Sequence, residues 1–171
     1  MFVMDTNVVS ELRKVRSGKA DPRVERWVDS ISAESLYVSA ITVLELELGV
    51  LQIERKDPRQ GALLRAWLDT QVLPEFEGRI LPVDAAVALR CARLHVPDPQ
   101  AERDALIAAT ALTHGMTVAT RNVADFQATG VALLNPWEAP ASAAKDPAPA
   151  AATSRASSRA GTGRSRPAPR G

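Results

Sequence analysis

Four acids in this sequence sit where chemistry is often done. Asp5 directly follows the apolar run Phe2 to Met4, and Glu45 comes shortly after the run Leu36 to Ser39. Asp104 lies in the first turn of a segment with helical period, and Asp125 follows the run Met116 to Thr120 by a few residues. In an open parallel sheet, ligands bind in the crevice beyond the carboxyl ends of the strands, so polar residues at those ends carry functional weight. Each acid also has a local reading. Asp5 can cap a helix beginning at Asn7 or Val8, Asp104 can complement a helix dipole, and Glu45 and Asp125 can be solvated surface charges. Asn122 with Asp125 can form a turn or cap of its own.

Taken jointly, the four acids pose an electrostatic problem. If they converge within about 5 to 8 Å, each pair repels by roughly 2 to 3 kcal/mol at an effective dielectric near 20. Six pairs then rival the whole net stability of a domain, about 5 to 15 kcal/mol. Either some of the acids are protonated or a cation sits among them. Carboxylate oxygens without clustered His or Cys suit a hard ion, Mg²⁺ or Mn²⁺, which keeps waters and takes remaining ligands from a substrate phosphate. Such an ion can activate a water against a phosphodiester and neutralise the developing charge. The implied reaction is metal-assisted phosphodiester hydrolysis.

These acids need elements to hold them. Phe2 to Met4, Leu36 to Ser39, Arg79 to Val83, Met116 to Thr120 and Val131 to Leu134 read as strands. Val8 to Lys14, Pro22 to Ile31, Ala62 to Val72, Ala85 to Leu94 and Glu102 to His114 read as helices, the last closed by Gly115. Strands alternating with helices require crossover connections, which give a mostly parallel sheet of about five strands covered on both faces. The expected class is α/β. One segment resists assignment: residues 44 to 48 alternate as a strand would, whereas Ile41 to Ile53 as a whole has the length of a helix.

The bulk properties bound the rest. At 171 residues there is room for one domain and a modest extension. From Ala139 onward the chain is Ala, Pro, Ser, Arg and Gly with almost no large apolar residue, which predicts a folded domain over 1–138 and a disordered tail over 139–171. The tail's arginines either touch RNA weakly or are a solvated appendage. It holds six of the 21 Lys and Arg but one of the 20 Asp and Glu, leaving 15 basic and 19 acidic residues in 1–138. A basic surface is therefore no argument for nucleic acid here. A single cysteine, Cys91, and the lack of a basic, apolar leader predict a cytoplasmic protein. No run approaches the ~20 apolar residues that span a bilayer, so no membrane partner is expected.

Other constellations carry less. Cys91 and His95 are four apart on a helix and can touch, but a small buried cysteine is the commoner case. His114 suits a helix C-terminus, and Trp27, Trp67 and Trp137 suit core or interface positions. There is no phosphate-cradling glycine loop and no CxxC.

The segments MDTNVVSEL at 4–12, SAITVLELELG at 39–49, DALIAATALTHG at 104–115 and TRNVADF at 120–126 resemble, in order and spacing, those of a PIN domain. Within that family the likeness is to the FitB and VapC-like toxins of bacterial toxin–antitoxin pairs, and VALLNPWE at 131–138 resembles their usual end. The resemblance covers residues 1–138. It implies a three-layer α/β/α domain and a metal-dependent ribonuclease with Asp5, Glu45, Asp104 and Asp125 as metal-binding and catalytic acids. It makes the 41–53 segment a helix and selects Glu45 over Glu47. It implies Thr6 and Asn7 as supports for the carboxylate or its waters, although both can simply start a helix. Thr120, Arg121 and Asn122 join the supporting set, Arg121 as a phosphate contact or a surface charge. The expected cofactor is Mg²⁺ or Mn²⁺, and the expected partners are RNA, an antitoxin and a second copy of the chain. Arg103, immediately before Asp104, departs from the family pattern and either binds RNA or pairs with a neighbouring acid. Two other functions remain open: a PIN module that only binds RNA or a protein, and an aspartyl-phosphate phosphatase. The latter class typically repeats an Asp two residues on, where this chain has Asn7.

Overall fold

The structure, a computed structural model, describes residues 1–138. The disordered tail expected over 139–171 lies outside the described residues. Five strands, β1 (Phe2–Met4), β2 (Leu36–Ser39), β3 (Ile80–Leu81), β4 (Thr117–Ala119) and β5 (Leu133–Leu134), form one sheet in the order β3-β2-β1-β4-β5. Every pairing is parallel, and Met4 lies between Val38 and Ala119. The earliest strand is thus the central one. Its carboxyl end is flanked by those of β2 and β4.

The helices are α1 (Thr6–Leu12), α2 (Pro22–Asp29), α3 (Ala40–Lys56), α4 (Pro58–Trp67), α5 (Leu73–Glu75), α6 (Ala85–Leu94), α7 (Glu102–Thr113) and α8 (Val123–Phe126). They cover both faces because β1 alternates. Met4 points into one core with Val8, Trp27, Leu46, Val50 and Leu68. Val3 points into the other with Ile107, Ala108, Val118 and Phe126. This is the three-layer α/β/α arrangement that the resemblance implied.

Residues 40–56 are helical, which resolves the ambiguous segment. Ser39 caps the helix by accepting from the Thr42 N–H at 3.1 Å, and the buried residues Thr42, Leu46 and Val50 recur every four positions. The alternation in LELELG lies on top of this period: Leu46 is buried and Leu44 exposed. The Ala62 to Val72 expectation divides. Its helix begins earlier, at Pro58, because Asp57 caps it by accepting from the Arg59 and Gln60 N–H groups, and a π turn replaces it over Leu68–Val72. Gly61 permits the close approach of α4 to α3, since a Cβ there would meet the Glu54 Cα at 2.4 Å. The strands of the edges are shorter than expected, two residues each in β3 and β5.

Candidate active site

Asp5 is placed by two elements at once. It leaves β1 by donating its N–H to the Ala119 carbonyl at 3.0 Å, and it caps α1, its Oδ1 accepting from the Thr6 N–H at 2.6 Å. Its Oδ2 accepts from the Asn7 amide at 2.6 Å and from the Thr120 hydroxyl at 2.7 Å. Thr120 accepts in turn from the Asn7 amide and the Asn122 N–H, and the Asn7 carbonyl oxygen accepts from the Arg121 N–H at 3.2 Å. Every polar group of Asn7 and Thr120 is therefore engaged in holding one carboxylate. A carboxylate has about four acceptor positions. Three are filled, and the remaining one is on Oδ1.

Glu45 lies one turn into α3 and accepts on Oε2 from the Thr6 hydroxyl. Its other oxygen stands 3.6 Å from the guanidinium of half-exposed Arg103, so of the two roles considered for that cation the structure displays the pairing with an acid. Glu47, two residues on, turns away to a two-pronged contact with Arg65 at 2.6 and 2.8 Å. Asp104 projects from the first turn of α7.

Asp5, Glu45 and Asp104 line one open cavity of about 450 Å³ with Thr6, Asn7 and Asn122. Asp125, on exposed α8, is not part of that lining, but it is near enough for its charge to act on Asp104. Burial, and then the charges of Asp5, Asp125 and Glu45, push the Asp104 carboxyl up to about 6. Burial likewise raises Asp5, against the opposing hydrogen bonds from Thr120, Thr6 and Asn7. Burial is thus the larger cause for both carboxyls, and the neighbouring acids add to it. Arg121, read as a phosphate contact or a surface charge, is exposed, its guanidinium 5.5 Å from the centre of the Trp137 ring.

The groups of this lining that could ligate a metal do so through oxygen, and Arg103 is the one cation among the described residues of that lining. Among the described residues no three Asp, Glu, His or Cys side chains close into a cage around a common point. An ion that keeps its waters and takes one or two direct carboxylates needs no such cage, and the free position on Asp5 fits it. Ser10 and Gln52 also face the cavity and were not anticipated. Neither carries a charge or a motif by which sequence alone would single it out.

Elsewhere, the buried thiol of Cys91 lies 3.7 Å from His95 Nε2, and its pKa is raised by burial and then by Glu102. His95 Nδ1 accepts from the Gln100 N–H, which leaves the ring's proton on Nε2, facing the sulfur. With Nδ1 accepting, Nε2 is the ring's donor toward the sulfur, an arrangement that does not activate the thiol.

The sequence profile of the PIN domain matches residues 2–131. The chain is 39% identical over 143 residues to the VapC ribonuclease Y4jK of Sinorhizobium fredii, covering 81% of this chain and 99% of that protein. It is 41% identical over 142 residues to the toxin FitB of Neisseria gonorrhoeae, covering 80% and 99%. The crystal structure of FitAcB from Neisseria gonorrhoeae superposes with a TM-score of 0.73 at 40% identity, covering 81% of this chain and all of that one.

Proposed function

The chain belongs to the PIN domain family, and from that premise we propose that it is a metal-dependent endoribonuclease, the toxin of a toxin–antitoxin pair. The observation that carries this reading is the meeting of Asp5, Glu45 and Asp104, from three separate elements, around one cavity at the carboxyl edge of the sheet. The names of the relatives, a ribonuclease and a toxin, support it. The cofactor is Mg²⁺ or Mn²⁺, held through Asp5, Glu45 and Asp104 with Asp125 as an outer charge. When bound, it supplies an activated water and neutralises charge on the phosphate.

The protein's own groups divide the remaining work. Asn7, Thr120 and the Thr6 N–H hold the Asp5 carboxylate in one orientation, with Oδ1 toward the cavity. The Thr6 hydroxyl fixes Glu45. With no ion bound, burial and the neighbouring acids push the Asp104 carboxyl up to about 6, Arg103 pairs with Glu45, and the exposed Arg121 supplies positive charge toward RNA at an otherwise acidic rim. Asn7 is fully used as a support, which disfavours an aspartyl-phosphate phosphatase needing a second acid there. The toxin role further implies an antitoxin that covers the cavity, a homodimer and a cytoplasmic setting. No described helix is long and apolar enough to cross a membrane.

The test is cleavage of single-stranded RNA by antitoxin-free protein with Mg²⁺ or Mn²⁺, beside EDTA and an Asp5→Asn control. Cleavage should require both the metal and Asp5, with the variant folded and about 10²–10³-fold slower, the loss typical of a group stabilising transition-state charge. Undiminished metal-dependent activity in Asp5→Asn would remove Asp5 from the mechanism.

A further inference from the structure

The acidic cavity continues past Glu45. A second cavity of about 260 Å³ shares Thr6, Ser10, Glu45 and Gly49 with it and runs between α1, α3 and α4. Along the way the lining changes from carboxylates to Val50, Ile53, Leu64, Trp67 and Arg13. Gly49 stands at the junction, where an added Cβ would meet nothing within 4 Å, so the passage is open. Trp67 is only half-buried, whereas Trp27 and Trp137 are buried. The exposed Arg13 guanidinium lies 5.8 Å from the centre of the Trp67 ring. Among the described residues Arg13 has no carboxylate partner.

We propose that this second cavity is a nucleobase subsite that takes the base of a nucleotide next to the scissile phosphate. The inference rests on the ribonuclease reading and says how that enzyme holds its substrate. Proteins bind single-stranded RNA by stacking unpaired bases on aromatic rings and guanidinium planes while cations follow the backbone. Trp67 and Arg13 provide both surfaces, and the aliphatic walls exclude water from the base. The two cavities share Thr6, Ser10, Glu45 and Gly49, so a phosphate beside Asp5 and Glu45 has this chamber next to it for a neighbouring base. Arg13 also offsets the repulsion that a backbone meets along a rim of acids.

The experiment is a set of cleavage kinetics on one short single-stranded RNA with a mapped cut, and on versions in which each nucleotide in turn is abasic. Loss of one base beside the cut should lower wild-type kcat/KM about 10-fold, in line with the usual strength of base stacking on an aromatic ring. Trp67→Ala should lower it by a similar factor on intact RNA and become insensitive to that abasic position, and Trp67→Phe should recover most of the loss. Arg13→Ala, on the exposed surface, gives the same comparison should Trp67→Ala fail to fold. An undiminished abasic penalty in both alanine variants overturns the subsite, as does wild-type cleavage by both, which would leave the chamber to a protein partner. A wild type no more active than Asp5→Asn on every RNA would instead sink the ribonuclease reading on which the subsite depends.

Discussion

The Asp104 carboxyl, pushed up to about 6, makes the site's charge readable by pH. Its folded value lies above its unfolded one, so protonation favours the folded state. That contribution is complete below about pH 4 and disappears as pH rises through about 6. In EDTA, Asp104→Asn should therefore melt about 3–5 °C above wild type at pH 7.5, with the gap closing by pH 4.5. Thermal melts across that range measure it, and a gap independent of pH would mean that the carboxyl is not strained. At this scale much was legible. Asp5 and Asp104 are short-range signals, the one fixed by the strand that ends just before it and the other by its place in the first turn of a helix. Ser10, Gln52 and the opening beside Trp67 were not, because a neutral side chain acquires a role only from what the fold brings opposite it.

Among the elements, α3 and α4 form the wall that holds Glu45 and both cavities. Their contact is tight at Gly61, and Arg65 of α4 ties to Glu47 and Glu54 of α3. The fold has no space for a methyl group at Gly61, because two of the three atoms it would meet, the Cα and N of Glu54, are backbone. Gly61→Ala should cost at least about 2–3 kcal/mol in denaturant unfolding, despite the better helix propensity of alanine. A neutral or stabilising result would mean that the two helices separate freely. The α3 helix also shows what periodicity leaves open. Five alternating residues read as a strand, and only the burial of Thr42, Leu46 and Val50 against the sheet selects the helix. The start of α4 was missed for a different reason, since residues 54–60 are polar apart from Pro58 and the Asp57–Pro58 cap opens the helix before any apolar period begins.

For the molecule as a whole, all the described elements and the whole candidate site lie within residues 1–138. Residues 139–171 carry almost no large apolar side chain, so removing them should leave cleavage of short RNA within about twofold of the full chain. Comparative kinetics on the two lengths check this, and a large loss would give the arginines of that segment a part in binding. The parallel α/β class followed from alternation of element types, which is a property of the whole chain and survives errors of two or three residues at any boundary. The pairing that closes the site was less accessible, since no local pattern says that β1 lies between β2 and β4.

That pairing also has a consequence in time. Asp5 and the Thr120 hydroxyl that holds it are 115 residues apart, and a ribosome adding about 5–20 residues per second separates their appearance by roughly 6–20 s. Through that interval the central strand lacks one neighbour and the carboxylate lacks its deepest anchor. The site as folded is therefore complete only when synthesis of the described residues is nearly over, because the hydroxyl that fixes its first carboxylate is made late.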